Sequence, residues 1–352
     1  MMLQSHLRLL SPTITHFGRL VNSNLIDLSK SSLLANPSLA QEIVSSLYKF
    51  GLLVFRNQTR LKPSDEIHLA KLFSHHPSID NDDENQSYTG GAGTQHRLPQ
   101  YPQIALVGSY SVKDFYGLTA ESKGVYNGWP LGQRAWHCDG LADTHPPPDL
   151  TTMRCLSTPA QGGETLFASS VKAAQLLPTA KLQSTHGIHP EDVRVNYKLF
   201  DKYTIAPEGT HLLRAEGSKG ETDEGGWDVN LKEGTSVPLV IKERNSGKKS
   251  LVGTYHVASI SHLDDPLDAP PRLVFEEANR YVAEAWKPGF EEENIYKHQW
   301  KVGDLAMWSN RLVIHTATST KSYEGEERLH TRIRMRAMEE DAPLAWKFFV
   351  DS

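Results

Sequence analysis

The sequence has 352 residues, of which 38% are hydrophobic and 22% charged, and its formal net charge is −5 at pH 7. This balance is ordinary for a globular protein and argues against a general surface for nucleic acid or anionic membranes. Two cysteines, Cys138 and Cys155, are too few for a disulfide framework, and no stretch reaches the ~20 apolar residues of a membrane span. We therefore expect a cytoplasmic protein without nucleic-acid or membrane partners. The scarcity of acidic residues before Asp27 leaves an organellar targeting segment as an alternative.

The first part of the chain predicts two helices and a buried strand. Leu39, Ile43 and Leu47 recur on one helical face of residues 39–50, and Gly51 stands where a helix stop belongs. The apolar residues 52–55 predict a buried strand, followed by a second short helix around residues 65–73. The polar, glycine-rich residues 78–97 predict a long loop of the kind that often borders a binding site.

The rest of the chain mixes predicted helices and strands. Helices are expected at residues 171–177 and 273–286, and strands at residues 104–110, 151–156, 304–308, 312–317 and 328–338. Residues 208–249 are charged and glycine-rich, which indicates an insertion rather than core. There is neither an internal repeat nor a dividing linker. The pattern predicts one mainly β domain over residues 1–352, a barrel or sandwich decorated by helices and long loops.

Two His-x-Asp tripeptides are candidate metal sites, because residues i and i+2 of a strand point the same way. One runs from His137 to Asp139 and the other from His262 to Asp264. A third ligand would complete a two-histidine, one-carboxylate set that leaves coordination positions open. The chain between His137 and His315 can hold a full sheet, whereas the chain from His262 to His315 holds one helix and about two strands. The spacing favours His137, Asp139 and His315, with a surface or helix-capping role for His262. A core histidine is the alternative for His315.

A dense run of cations lies in the last predicted strand. In a strand over residues 328–338 one face carries the even-numbered side chains, namely Arg328, His330, Arg332, Arg334 and Arg336. A buried guanidinium is costly unless it binds an anion such as a carboxylate, which its planar fork holds with two hydrogen bonds. Arg328 and Arg332 lie ~13 Å apart at ~3.3 Å per residue, so each can hold a different anion. A solvated basic face is the alternative, and it is favoured for Arg336.

These segments resemble the taurine dioxygenase (TauD/TfdA) family of iron(II)- and 2-oxoglutarate-dependent dioxygenases. The resemblance extends from about Phe17 to Met338. It rests on FGLLVFR at 50–56, WHCD at 136–139, GGETL at 162–166, GDLAMWSNR at 303–311, His315 and Arg328-x-x-x-Arg332. It implies a double-stranded β-helix, or jelly-roll, core. It also implies that iron(II) is held by His137, Asp139 and His315.

The resemblance further implies that Arg328 binds the far carboxylate of 2-oxoglutarate, helped by the Thr165 hydroxyl. Arg332 matches a position that holds an anionic group of the substrate, and Gln133 matches another position that lines the substrate. His75 or His76 falls in a third such region. A plain hydrogen bond within a loop is the alternative for Gln133, and solvation in a polar loop is favoured for the two histidines.

The implied reaction consumes O2 and converts 2-oxoglutarate into succinate and carbon dioxide. It oxidises an unactivated C–H bond, with hydroxylation as the expected outcome. From Arg332 we expect the substrate to be a small, anionic, carboxylate-bearing molecule. Desaturation and oxidative cyclisation are alternatives within the same chemistry. A non-catalytic jelly-roll binding protein and a zinc-dependent hydrolase are alternatives of other classes. Whether the protein forms a homo-oligomer is left open.

Overall fold

The structure is a computed structural model. It describes residues 3–12, 14–21, 26–73, 96–123, 136–141, 148–197, 204–205, 213–214, 235–253, 257–318, 325–335 and 342–349. The candidate residues His75, His76, Gln133 and Arg336 lie outside the described residues, as does most of the predicted loop at residues 78–97.

Six α-helices are present in the described residues, and all are short. Their bounds are α1 Lys30–Ala35, α2 Pro37–Phe50, α3 Pro63–Lys71, α4 Ser170–Gln175, α5 Thr179–His186 and α6 Phe275–Trp286. Helix α2 confirms the helix predicted at residues 39–50. It begins after Asn36, whose side chain accepts a hydrogen bond from the backbone N–H of Leu39, and it ends at Gly51 in the left-handed region with φ 77°. None of the described helices is long and apolar enough to cross a membrane.

The strands are numbered in chain order through the described residues. They are β1 Leu7–Arg8, β2 Arg19–Val21, β3 Leu52–Phe55, β4 Arg97–Leu98, β5 Tyr101–Phe115, β6 Leu118–Lys123, β7 Leu150–Ser157, β8 Thr165–Ser169, β9 Val193–Tyr197, β10 Thr204–Ile205, β11 Leu213–Arg214, β12 Ser236–Pro238, β13 Val240–Lys242, β14 Lys249–Leu251, β15 Val257–His262, β16 Leu273–Val274, β17 Ile295–His298, β18 Leu305–Ser309, β19 Val313–Ala317, β20 Arg328–Met335 and β21 Leu344–Ala345.

The largest sheet of the described residues has nine strands, in the order β1-β2-β3-β18-β7-β20-β5-β4, with β6 paired to β5. Strand β20, which contains the arginine run, lies between β7 and β5 and is antiparallel to both. Leu329, Ile333 and Met335 of β20 pack in the hydrophobic core. The even-numbered side chains Arg332 and Arg334 instead approach Asp139. The structure thus confirms the predicted division of this strand into two faces.

A smaller sheet, in the order β17-β8-β19, faces the large one. Phe167 of β8 meets Trp308 of β18 edge-on, with ring centroids 5.4 Å apart, and His315 of β19 lies 4.8 Å from the same tryptophan. These three rings fill the space between the two sheets, as expected for two β layers that share a core. The other sheets have the orders β12-β9-β15-β16, β14-β13-β21 and β10-β11.

Within the described residues, the predicted elements agree with the structure apart from their ends and one segment. The helix predicted at 273–286 begins at Phe275, because Leu273 and Val274 form β16 against β15. Residues 235–249, predicted as part of an insertion, instead contribute to β12, β13 and β14. Val237 and Ile241 are buried there, so β12 and β13 contribute to the core. Their apolar residues pair with β9 and β21, and the composition of the charged segment before them hid this pattern.

A buried ion pair joins α3 to the large sheet, on the face of β20 that packs in the hydrophobic core. Arg154 of β7 bonds Glu66 of α3 through Nε at 2.8 Å and Nη2 at 2.7 Å, and Thr331 of β20 donates to the same carboxylate at 2.6 Å. Burial raises the pKa of Glu66, and Arg154 and Thr331 oppose this shift. The side chain is buried, and these donors are what favours its charged form there.

Arg154→Leu is expected to lower the free energy of unfolding by about 3–5 kcal/mol, because it leaves the Glu66 carboxylate buried without its cation. Urea denaturation of the purified variant measures this loss. The control is Arg272→Leu, which removes an exposed partner of Asp265 and should cost much less, because solvent screens an exposed ion pair. Equal losses of unfolding free energy in the two variants would show that burial does not make the Glu66 pair more important for stability than an exposed pair.

Candidate metal and cosubstrate site

His137 and His315 are brought together by the backbone. The N–H of His137 donates to the carbonyl of His315 at 2.9 Å, and the N–H of His315 donates back to the carbonyl of His137 at 3.1 Å. This antiparallel bridge places the segment of His137 beside β19, at the edge of the smaller sheet. Asp139 lies two residues further along and points to the same side as His137.

The side chains of His137, Asp139 and His315 converge on one point. Their potential ligand atoms all lie within 4.8 Å of one another, and among the described residues this is the one such group of three or more. His137 Nε2 is 3.8 Å from Asp139 Oδ1, and His315 Nε2 is 3.9 Å from Asp139 Oδ2. Asp139 and His315 are buried, whereas the His137 side chain is 29% exposed. The group therefore opens to solvent on the side of His137.

Thr151 and Asn310 position Asp139, the first through its carboxylate and the second through its backbone. Thr151 Oγ1, at the start of β7, donates to Asp139 Oδ2 at 2.7 Å. Asn310 Nδ2 donates to Thr151 Oγ1 at 2.9 Å, and Asn310 Oδ1 accepts from the backbone N–H of Asp139 at 3.3 Å. Trp308 Nε1 donates to the same amide oxygen at 3.1 Å and fixes its orientation. Both the backbone and the side chain of Asp139 are thus positioned by one chain of hydrogen bonds.

The local electrostatics give these groups the protonation states that a metal requires. Burial alone would raise the pKa of Asp139, but Arg332, His315 and Arg334 more than compensate and hold it well below its ordinary value. Burial, reinforced by His137, lowers the pKa of His315 to about 3. At neutral pH Asp139 is therefore a carboxylate and His315 a neutral imidazole, the forms that bind a metal ion.

Arg328 and Thr165, predicted to hold the cosubstrate, are both buried. Arg328 Nε donates to the carbonyl of Gly163 at 2.9 Å, which fixes the direction of the side chain. Trp300 Nε1 donates to Thr165 Oγ1 at 3.0 Å, so the hydroxyl hydrogen of Thr165 is oriented away from that bond and can donate to an anion.

His330, two residues after Arg328 on the same face of β20, is also buried. Neither of its ring nitrogens has a hydrogen-bond partner among the described residues. Its ring meets that of Trp300 edge-on at 4.6 Å, which places it beside Thr165. Burial lowers its pKa well below the ordinary value, with Arg328 adding to the shift. A buried imidazole of this kind indicates that the region accommodates a polar ligand.

The second His-x-Asp tripeptide lies elsewhere. His262 is the last residue of β15, and its imidazole is 3.7 Å from Asp192 and 3.5 Å from Asp264. Asp264 is exposed and bonded to Lys347 at 2.7 Å. The backbone N–H of Asp264 donates to His262 Nδ1, and the tripeptide forms part of a turn. This agrees with the surface role favoured for His262.

Several residues that shape the site could not be assigned a role from the sequence. Thr151 and Asn310 carry no signal by themselves, since their effect depends on a contact between β7 and the segment of Asp139. Trp300 likewise reaches Thr165 only through the fold. Arg334 did carry a signal, because it belongs to the even-numbered face of β20. The structure places its Nη1 4.0 Å from Asp139 Oδ1, next to Arg332 Nη1 at 3.5 Å.

Comparison with known proteins identifies the class of this site. Residues 11–334 match the family model described as "Taurine catabolism dioxygenase TauD, TfdA family", so the chain belongs to that family. It is an iron(II)- and 2-oxoglutarate-dependent dioxygenase with a jelly-roll core. The family membership sets aside the alternatives of a non-catalytic binding protein and a zinc-dependent hydrolase.

The named relatives are distant but match most of the chain. An alpha-ketoglutarate-dependent xanthine dioxygenase of Schizosaccharomyces pombe is 23% identical over 325 residues, covering 79% of this chain and 76% of that protein. An alpha-ketoglutarate-dependent 2,4-dichlorophenoxyacetate dioxygenase of a Burkholderia strain is 24% identical over 283 residues, covering 80% of each. The solved structure of AAD-2 in complex with Mn(II) and N-oxalylglycine superimposes with a TM-score of 0.62 at 21% identity, covering 95% of this chain and 97% of that one. This last likeness shows the shared fold.

Proposed function

We propose that His137, Asp139 and His315 bind the iron(II) ion of this dioxygenase. The observation that carries the proposal is the convergence of two imidazoles and one carboxylate within 4.8 Å. This donor set is the two-histidine, one-carboxylate face that iron(II) oxygenases use, and it leaves coordination positions for cosubstrate and O2. The charged Asp139 and neutral His315 fit the same assignment.

Arg328 and Thr165 are the residues proposed to bind 2-oxoglutarate. A carboxylate buried between two β layers needs a cation and further donors, and this end of the site offers both. The Arg328 guanidinium and the Thr165 hydroxyl supply them, and His330 adds an imidazole whose nitrogens have no partner among the described residues. The fold is shared with AAD-2, whose solved structure contains Mn(II) and N-oxalylglycine, and this supports the binding of a metal and a cosubstrate in general.

Iron(II) held by His137, Asp139 and His315, together with 2-oxoglutarate held by Arg328 and Thr165, would supply the activation of O2 for oxidation of a C–H bond, while the protein positions the reactants and limits water. The ring of His315 packs 4.8 Å from Trp308 and 6.2 Å from Phe167, so it is held from the side opposite the opening. Thr151 and Asn310 hold Asp139. The partly exposed His137 marks the side from which the substrate arrives.

The proposed substrate is a small, carboxylate-bearing organic anion, and hydroxylation is the proposed outcome. Arg332 supports this, since its guanidinium lies beside Asp139 Oδ1 at 3.5 Å and so borders the metal position. The 2,4-dichlorophenoxyacetate and (S)-phenoxypropionate dioxygenases among the relatives are named for carboxylate substrates. Gln133 is proposed as a second substrate contact. Desaturation and oxidative cyclisation are other outcomes of the same chemistry.

A screen of small acids for substrate-dependent formation of succinate tests this function. A true substrate should stimulate succinate production and appear in oxidised form in equal amount. Arg332→Ala should then raise the KM for that acid with little change in the affinity for 2-oxoglutarate. If Arg332→Ala leaves the affinity for the acid unchanged, Arg332 does not bind the substrate.

Thr151→Val is expected to weaken iron(II) binding by ~10–100-fold, because it removes the hydrogen bond that orients the Asp139 carboxylate while keeping the shape of the side chain. Anaerobic competition with a chelating dye measures the affinity. Thr152→Val is the matched control: its neighbouring hydroxyl is also buried but has no hydrogen-bond partner among the described residues. Equal affinities in the two variants would contradict the positioning role of Thr151.

We propose further that the chain acts as one domain in the cytoplasm. The proposal for the compartment is supported by Cys138 and Cys155, which are both buried free thiols in the structure. Fractionation of the native source with an antibody against this chain tests it.

A further inference from the structure

Two glycines from separate parts of the fold lie against Arg328. Gly108 belongs to β5 and pairs with Leu329 of β20, while Gly163 lies in the segment before β8. Their φ angles are 128° and 70°, in a region that residues with a side chain rarely adopt. Both positions therefore combine a backbone conformation suited to glycine with close contact to one buried arginine.

Gly108 contacts the backbone of Arg328. A Cβ atom at Gly108 would overlap the carbonyl oxygen of Arg328 and would lie 2.8 Å from its carbonyl carbon. Ser122 on β6 donates to the Gly108 carbonyl at 3.0 Å, which holds this peptide from its other neighbour. Because backbone atoms in a central strand cannot rotate away as side-chain atoms do, a side chain at Gly108 would displace the start of β20 from β5.

The pairing of β20 makes this contact with β5 important. Against β7 the register of β20 shifts between Leu329 and His330, whereas against β5 it is continuous from Arg328 to Arg332. The irregular side is thus the one towards β7. The position of the Arg328 backbone is therefore set by β5 and by the close approach that Gly108 allows.

Gly163 contacts the side chain of the same arginine. Its carbonyl accepts a hydrogen bond from Arg328 Nε at 2.9 Å. A Cβ atom at Gly163 would lie 3.2 Å from Arg328 Cδ and 3.0 Å from Pro159 Cγ, both of them tight contacts. One glycine therefore positions the backbone of Arg328, and the other positions its side chain next to the guanidinium.

We propose that Gly108 and Gly163 are specificity-determining residues, which place the Arg328 guanidinium so that it selects 2-oxoglutarate over a homologue of different chain length. The inference rests on the proposed function, because it takes Arg328 as the residue that binds the far carboxylate. A keto acid anchored to the metal at one end presents that carboxylate at one distance only. A misplacement of ~1 Å in such a site can cost ~100-fold.

A merely structural role for the two glycines would give a different result. In that case an added methyl group would lower stability, and the folded protein would bind cosubstrates of different length in the same proportion as before. The decisive quantity is thus the ratio of the dissociation constants for 2-oxoadipate and 2-oxoglutarate. These two acids carry the same charged groups and differ by one methylene group.

Calorimetry on the folded protein loaded with Mn(II) measures both dissociation constants without turnover. The unaltered protein is expected to bind 2-oxoglutarate at least ~10-fold more tightly than 2-oxoadipate, the usual effect of one methylene group in a fitted site. Gly108→Ala should reduce this preference to less than ~3-fold, by weakening 2-oxoglutarate more than 2-oxoadipate. The affinity for Mn(II) should not change, since its proposed ligands lie on other segments.

Two further variants complete the experiment. Gly117→Ala is the matched control: Gly117 lies in the turn between β5 and β6 with φ 83°, and a Cβ atom there would approach no closer than 3.4 Å to Pro99. This variant introduces similar backbone strain away from Arg328 and should keep the preference. Gly163→Ala alters only the side-chain contact and should also reduce the preference below ~3-fold, so the test stands even if Gly108→Ala does not fold.

The outcomes separate the inference from the proposed function. Failure of Mn(II) or 2-oxoglutarate to bind, or an unchanged affinity for 2-oxoglutarate in Arg328→Leu, would overturn the proposed function and the inference with it. The inference alone would be overturned by an unaltered protein that binds both acids equally. A preference that survives in the folded glycine variants at 108 and 163, or is lost equally in Gly117→Ala, would overturn it too.

Discussion

Asp139→Ala is expected to abolish turnover and to lower iron(II) affinity by more than the ~10–100-fold typical for loss of a hydrogen-bond partner of a metal ligand. The variant removes the one carboxylate of the site. It also leaves Arg332 and Arg334 facing the metal position without the anion that they both approach. Anaerobic metal competition and coupled succinate formation measure the two effects.

The second His-x-Asp tripeptide provides a matched control for this variant. Asp264→Ala removes a carboxylate from the same sequence pattern, but Asp264 is exposed and paired with Lys347. This variant should bind iron(II) and turn over like the unaltered protein. A comparable loss in Asp264→Ala, or normal iron binding in Asp139→Ala, would contradict the assignment of the metal ligands.

The second large effect is expected at Arg328. Arg328→Leu should weaken the binding of 2-oxoglutarate by at least ~30-fold, since truncating one partner of a buried charge pair costs about 2–5 kcal/mol. The affinity for iron(II) itself should change little. Titration of 2-oxoglutarate into the iron-loaded protein without O2 measures the dissociation constant.

Arg328→Lys and Thr165→Val divide this effect into its components. Lysine keeps the positive charge but loses the planar fork, so an intermediate affinity is expected. Thr165→Val removes one hydroxyl donor and should lower the affinity for 2-oxoglutarate by ~10-fold or more, because a hydrogen bond to a charged group contributes about 1.5–3 kcal/mol. A change of less than ~3-fold in Arg328→Leu would show that the cosubstrate carboxylate binds elsewhere.

Much of the fold follows from local patterns in the sequence. Helix α2 could be predicted because Leu39, Ile43 and Leu47 repeat at helical spacing and Gly51 ends the helix. Strand β20 could be predicted together with its two faces, because alternate residues differ in polarity. The choice of His137 over His262 followed from the length of chain needed to form a sheet before His315. In the structure the backbones of His137 and His315 are indeed bonded.

Other features depend on contacts between distant segments, which no local pattern encodes. Thr151 and Asn310 hold Asp139 only because β7 and the end of β18 lie beneath it. The burial of Val237, Val240 and Ile241 depends on the pairing of β12 and β13 with β9 and β21, and the charged segment before them concealed it. The roles of Arg328 and Thr165 came from family resemblance, since spacing alone indicated only that two anions could bind along β20.

The most direct test of the account is an anaerobic spectroscopic titration of the unaltered protein, first with iron(II) and then with 2-oxoglutarate. The account predicts that one iron binds per chain and that 2-oxoglutarate then produces a weak charge-transfer band in the visible range. The band should be missing in Asp139→Ala and retained in Asp264→Ala. A protein that binds iron but develops no band with 2-oxoglutarate, or a band that persists in Asp139→Ala, would contradict the proposed site at His137, Asp139 and His315.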